Sequence, residues 1–81
     1  MTDIKYEIGK KFWTVENDSE GDIGNIFSTK ADAVNMAKKM RADDKETGMD
    51  FLGRYSVLEN IIIDKKGNTW VIDNKVVYQT R

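Results

Sequence analysis

Residues 29–40 read Thr-Lys-Ala-Asp-Ala-Val-Asn-Met-Ala-Lys-Lys-Met, and this stretch decides the fold. Ser28 or Thr29 can accept a hydrogen bond from a free N–H of a first helical turn, and Thr29-Lys30-Ala31-Asp32 approximates a capping box with Asp in the Glu position. Good helix formers then continue to about Lys45, with neither Gly nor Pro among them. Ala33, Val34, Met36, Ala37 and Met40 fall at helical spacing and form an apolar stripe. Lys38, Lys39 and Arg41 stand toward the end, where cations favour the negative pole of the helix dipole. Gly48 can close the helix in a left-handed conformation.

The flanks on both sides alternate instead. Upstream, Ile4, Tyr6 and Ile8 interleave with Lys5 and Glu7, the period of a half-buried strand. Gly9-Lys10 supplies a turn, and Lys11–Val15 follows as a second strand of strong β-formers. Glu16–Asp22 is rich in acids and turn formers and reads as a solvated loop, after which Ile23, Ile26 and Phe27 return to the core, with a short strand around Asn25–Phe27. Downstream, Tyr55–Ile63 reads as a strand and Asp64-Lys65-Lys66-Gly67 as a hairpin turn. Thr69–Ile72 then pairs back, Asp73-Asn74 makes a tight turn, and Lys75–Tyr78 is the last strand. The expectation is a small two-layer α+β domain, one helix packed on an antiparallel sheet, in the order β-β-α-β-β-β. A single helix does not cover such a sheet, so a face or an edge is left open to water or to a partner.

Eighty-one residues, without Pro, low-complexity tract or repeat, make a single domain over residues 1–81. A chain this short is expected to be stable by only roughly 3–5 kcal/mol, which leaves little for a deep, preorganised active site. It contains no Cys and no His. Disulfide staples, thiolate chemistry, zinc–sulfur sites and the commonest near-neutral acid–base group are therefore excluded. No apolar run exceeds Ile61-Ile62-Ile63, and the Met-Thr-Asp-Ile start lacks the pattern of a signal peptide. A soluble cytoplasmic domain is the expectation. The formal charge of −1 lacks the basic excess that phosphate neutralisation usually demands of a nucleic-acid binder.

Three features could carry function. Glu16, Asp18, Glu20, Gly21 and Ile23 sit where a calcium loop would place its first ligands, its glycine and its apolar residue, but Phe27 stands where the bidentate Glu is required. No metal or cofactor is expected. Alternating acids suit a basic partner surface instead, because opposite charge steers association. Second, Phe12, Trp13, Tyr55, Trp70 and Tyr78 lie on expected strands, and an outward Trp is a common interface anchor. Third, the lysine pairs 10–11, 38–39 and 65–66 sit at turns and a helix end, where solubility alone explains them. Asp43-Asp44 are adjacent and so do not converge from one helix face as an acid–base pair.

Lys10-Lys11-Phe12-Trp13-Thr14-Val15-Glu16, followed by an acidic loop and by Phe27-Ser28-Thr29-Lys30-Ala31-Asp32-Ala33 opening a helix, resembles the small phage-encoded inhibitors of bacterial RNA polymerase. In size, Cys-free composition and element order the chain is also similar to phage host-takeover and anti-defence proteins, anti-CRISPR proteins included. The resemblance covers residues 10–37 and departs after the helix, where arginines in a following strand are represented here only by Arg54. It implies a non-enzymatic inhibitor or adaptor that binds a bacterial host protein or complex, with Trp13, Glu16, Asp18, Glu20, Asp22 and Trp70 as contact residues. Two other readings remain open at this stage. One is a nucleic-acid module using Lys10, Lys11, Trp13, Arg54, Lys65 and Lys66. The other is a self-associating protein that pairs its free edge strand, so monomer and dimer both stand.

Overall fold

The computed structural model describes residues 5–81. Their order is β1 (Lys11–Asn17), β2 (Gly21–Phe27), α1 (Lys30–Glu46), a short 3-10 turn (Asp50–Leu52), β3 (Tyr55–Lys66) and β4 (Thr69–Gln79). The strands form one antiparallel sheet in the order β2-β1-β3-β4, with α1 packed on one face. The α+β architecture is the one expected from the sequence. No helix among the described residues is long and apolar enough to cross a membrane.

The helix forms where its sequence directs. Thr29 is the N-cap, its hydroxyl accepting the Asp32 N–H at 3.2 Å. At the other end Gly48 takes φ +80°, and the Met49 N–H reaches back to the Asp44 carbonyl at 2.7 Å. Ala33 and Ala37 are fully buried, so the backbone of α1 approaches the sheet closely over Val15, Tyr55 and Val57. Trp13, Ile23, Phe27, Val34, Met40, Val77 and Tyr78 close around that cluster. The chain's last residues seal its end: Thr80 and Tyr55 exchange two hydrogen bonds of 2.9 Å. The Tyr55 hydroxyl also donates to Asp44 at 2.7 Å. Burial, and then that hydrogen bond, push the Tyr55 phenol up to about 12.

The strand layout corrects the expectation in four places. Ile4 lies outside the described residues, and Lys5–Ile8 join no strand, because Tyr6 turns over the sheet to stack on Phe12 at 5.8 Å between ring centroids. Glu16–Asp22 is not a loop but the end of a hairpin: Glu16 faces Asp22 and Asn17 faces Gly21 across the ladder. The buried Asn17 side chain accepts the Ser19 and Glu20 N–H groups, and Gly21 supplies the positive φ, +76°, at the loop exit. The turn expected at Asp64–Gly67 slides to Gly67-Asn68, with Lys66 and Thr69 paired before and after it. Asp73-Asn74 makes no turn, since Ile61 and Asn60 of the long β3 pair with both residues. The two strands expected there are one. Tertiary pairing overrides a local turn preference when a partner strand is available.

The molecule is elongated, 45 × 20 × 20 Å, because the β3–β4 hairpin runs beyond the part that α1 covers. Register shifts mark both ladders of the edges. Ile63 is extra on β3, Val77 is extra on β4, and β2 inserts residues opposite Val15. Such bulges bend a strand and sharpen its twist.

Candidate functional site

Strand periodicity assigns the two faces of the sheet. Trp13 and Val15 face α1, while Phe12, Thr14 and Glu16 face away. Register then carries the far face outward: Asn60 and Asn74 beside Phe12, Leu58 and Val76 beside Thr14, and Ile62 and Ile72 one step along. Among the described residues, no helix covers this face. Its apolar floor is nonetheless largely dry, with Phe12, Leu58 and Ile62 all under 9% exposed. Tyr6 explains part of this, since it stacks on Phe12 and meets Trp70 at 5.9 Å. Asn60 is held flat by its amide, which lies within hydrogen-bond reach of the Phe12 carbonyl and the Thr14 hydroxyl at 3.3 and 3.1 Å.

Beyond Tyr6 the face opens into a concavity of about 520 Å³. Its walls are Tyr6, Ile26, Ile72 and Asn74, and its rim carries Glu16 and Asp22. The irregular register of β2 shapes this wall, where Gly24 adopts φ +85° and its N–H bonds the Asp22 carboxylate at 2.6 Å. Among the described residues, every charged one lining the hollow is an acid. Glu16 and Asp22 stand directly across the ladder, and neither has an ion-pair partner among the described residues. Like charges placed opposite one another destabilise a sheet.

The six expected contact residues are divided by this geometry. Glu16 and Asp22 come together on the open face, with Glu20 exposed at the neighbouring hairpin end. Asp18 is engaged elsewhere: its carboxylate accepts the Arg54 N–H at 3.0 Å and pairs with the guanidinium at 3.5 Å. Trp70 reaches the open face at its far end, beneath Lys65, whose ammonium lies 4.7 Å from the ring centre. Trp13 points to the opposite face, half-buried beside α1, and its indole N–H has no hydrogen-bond partner among the described residues.

The basic set is dispersed as well. Lys11 lies 3.9 Å from Glu59 on the helix side, Arg54 is tied to Asp18, and only Lys65 and Lys66 share the hairpin tip. Lys10 is exposed at the entry to β1. Sequence reasoning missed Tyr6, Asn60 and Ile72 as lining residues. The alternation of β3 and β4 carried that information, but the bulges shift its phase.

Compared with protein-family models, with curated proteins and with solved structures, the chain finds no match. The fold and this face define a class by themselves: a small α+β domain with one helix-covered and one uncovered sheet face.

Proposed function

We propose that the protein is a non-enzymatic binding module whose uncovered sheet face takes a basic surface of a partner protein. The observation that carries this reading is the hollow beside Phe12 and Tyr6, rimmed by the unneutralised Glu16–Asp22 pair. A partner cation seated there relieves a repulsion that the free protein holds, and the apolar floor supplies area around it. With the resemblance of residues 10–37, this supports an inhibitor or adaptor of phage type that occupies a surface of a larger bacterial complex. Glu20 adds steering charge from the hairpin end, and Trp70 extends the apolar row; Asp18 and Trp13 hold the fold.

The test is a tagged pull-down from bacterial lysate with nuclease, comparing the native protein with Glu16→Lys and with Lys39→Glu on the exposed side of the helix. One protein complex retained by the native chain and by Lys39→Glu, and lost with Glu16→Lys, is the expected result. Retention by Glu16→Lys refutes the site. Nucleic-acid-binding proteins that vanish on nuclease treatment would point to Lys65, Lys66 and Trp70 instead.

A further inference from the structure

Of the two sheet edges, β2 is short and broken by its bulge at Gly24, the usual protection of an edge strand. The other edge, β4, is long, and along Thr69–Val76 the one irregularity of its ladder, the extra Ile63, lies on β3 and leaves no residue of β4 unpaired. It contains no Pro, and its only charged residues are Asp73 and Lys75. Its sequence, Thr-Trp-Val-Ile-Asp-Asn-Lys-Val-Val-Tyr-Gln, is symmetric in character about Asn74. Asp73 mirrors Lys75, Ile72 mirrors Val76, Val71 mirrors Val77, and Trp70 mirrors Tyr78.

We propose that β4 pairs with β4 of a second copy of this chain, antiparallel and centred on Asn74. In that register Ile72 lies opposite the second copy's Val76, and Asp73 opposite its Lys75, each contact occurring twice about the two-fold axis. Because every pair is symmetric about one residue, both members turn their backbone groups the same way, as an antiparallel ladder requires. The two neighbouring in-phase registers would set Asp73 on Asp73 or Lys75 on Lys75, whereas in this one the charges are complementary. Lys75 already stands 3.6 Å from Glu59, so the second copy's Asp73 completes an alternating row of acid, base and acid. On the uncovered face Ile72 and Val76, 37% and 54% exposed, meet their counterparts from the other copy. The extra residue Val77 limits regular pairing to Ile72–Val76, a small interface that makes the association weak and concentration-dependent. The hollow and this edge share Ile72 and Asn74, but the charges each depends on differ: Glu16 and Asp22 on β1 and β2 there, Asp73 and Lys75 on β4 here.

Sedimentation at concentrations from about 5 to about 500 μM, the range suited to small interfaces, is expected to show a mass rising from 9.3 kDa toward twice that value. Asp73→Lys and Lys75→Asp each place like charges opposite one another twice, and each alone is expected to weaken association roughly tenfold or more. Mixed in equal amounts, the two variants regain opposite charges at both positions and associate again. Melting curves show that each variant is folded. Asn74→Cys provides a second readout, since position 74 alone meets its own copy at a distance a disulfide spans. With no native cysteine to interfere, it is expected to cross-link on mild oxidation far faster than Lys30→Cys on the helix. A native protein that stays monomeric at the highest concentration overturns the proposal. So does a dimer indifferent to both charge variants, or equal cross-linking at positions 30 and 74.

Discussion

Replacing Glu16 by Lys should make the protein more stable while abolishing the binding we propose. Glu16 and Asp22 are cross-strand neighbours with no ion-pair partner among the described residues, so the native ladder carries a repulsion. Cross-strand pairs of opposite charge contribute about 0.2–1 kcal/mol, and like pairs oppose folding. Reversing one member removes the repulsion and adds an attraction, so the change sums to about 1 kcal/mol. In a domain of this size that raises the melting temperature by about 4–8 °C. Both groups are exposed, so salt must screen the gain, and at about 1 M, where the Debye length is about 3 Å, most of it should vanish. Circular dichroism melts of the native and Glu16→Lys proteins, at low and at high salt, read this directly. A variant that melts lower than the native protein at low salt, or whose gain ignores salt, refutes the claim that the pair is an uncompensated repulsion. A partner cation would then have no repulsion to relieve at that place.

Three further outcomes follow from the packing. Tyr55→Phe removes the hydroxyl bonded to Asp44 and should cost about 1 kcal/mol, measured by urea titration. Because the folded phenol is raised to about 12 from an ordinary 10.0, the folded state holds its proton more tightly than the unfolded chain does. Its contribution is therefore complete below pH 10 and lost progressively as pH rises to about 12. The native protein should lose up to about 2–3 kcal/mol there relative to Tyr55→Phe, and parallel pH profiles would contradict this. Gly53→Ala meets both a left-handed backbone, φ +84°, and the Asp18 side chain at 3.1 Å, and should cost about 2 kcal/mol by the same titration. Trp13→Phe deletes an indole N–H that has no partner, so it should destabilise by under about 1 kcal/mol, whereas Trp13→Ala, which empties the helix-side cluster, should cost about 2–3 kcal/mol.

The helix was legible because its instructions are local: the Thr29 cap, the alanines at 33 and 37, and Gly48 act within one segment. The strands were less so, and each difference has a non-local cause. Asp73-Asn74 carries the residues of a turn, yet Asn60 and Ile61, remote in sequence, hold both in a ladder. Tyr6 alternates like a strand residue, but the aromatic surface of Phe12 and Trp70 draws it over the sheet and away from an edge. The acids of residues 16–22 were legible as a group and not as individuals. Chain order does not reveal that Arg54 reaches Asp18, which separates that acid from Glu16 and Asp22. Trp13 and Phe12 were rightly placed on opposite faces by periodicity, while which of them met α1 depended on the register with β3.

The two proposals constrain one another. Pairing through β4 would join two sheets into one of eight strands, with each copy's Glu16–Asp22 pair on the outer side of the assembly. From β1 of one copy to β1 of the other there would be five strand spacings, about 24 Å at about 4.8 Å each. Adjacent strands also rotate by about 20–25°, so the two hollows would be turned from each other by about 100–125°. They could not lie together on one flat surface. A dimer of this kind would hold two separate partner molecules, or straddle a strongly convex ridge of one. Avidity would follow only in the second case, where both hollows engage one target at once. Titration of a purified partner separates these cases: one partner bound per chain at any concentration fits the first. One partner bound per two chains, with tight binding lost in Asp73→Lys although Glu16 and Asp22 are untouched, fits the second.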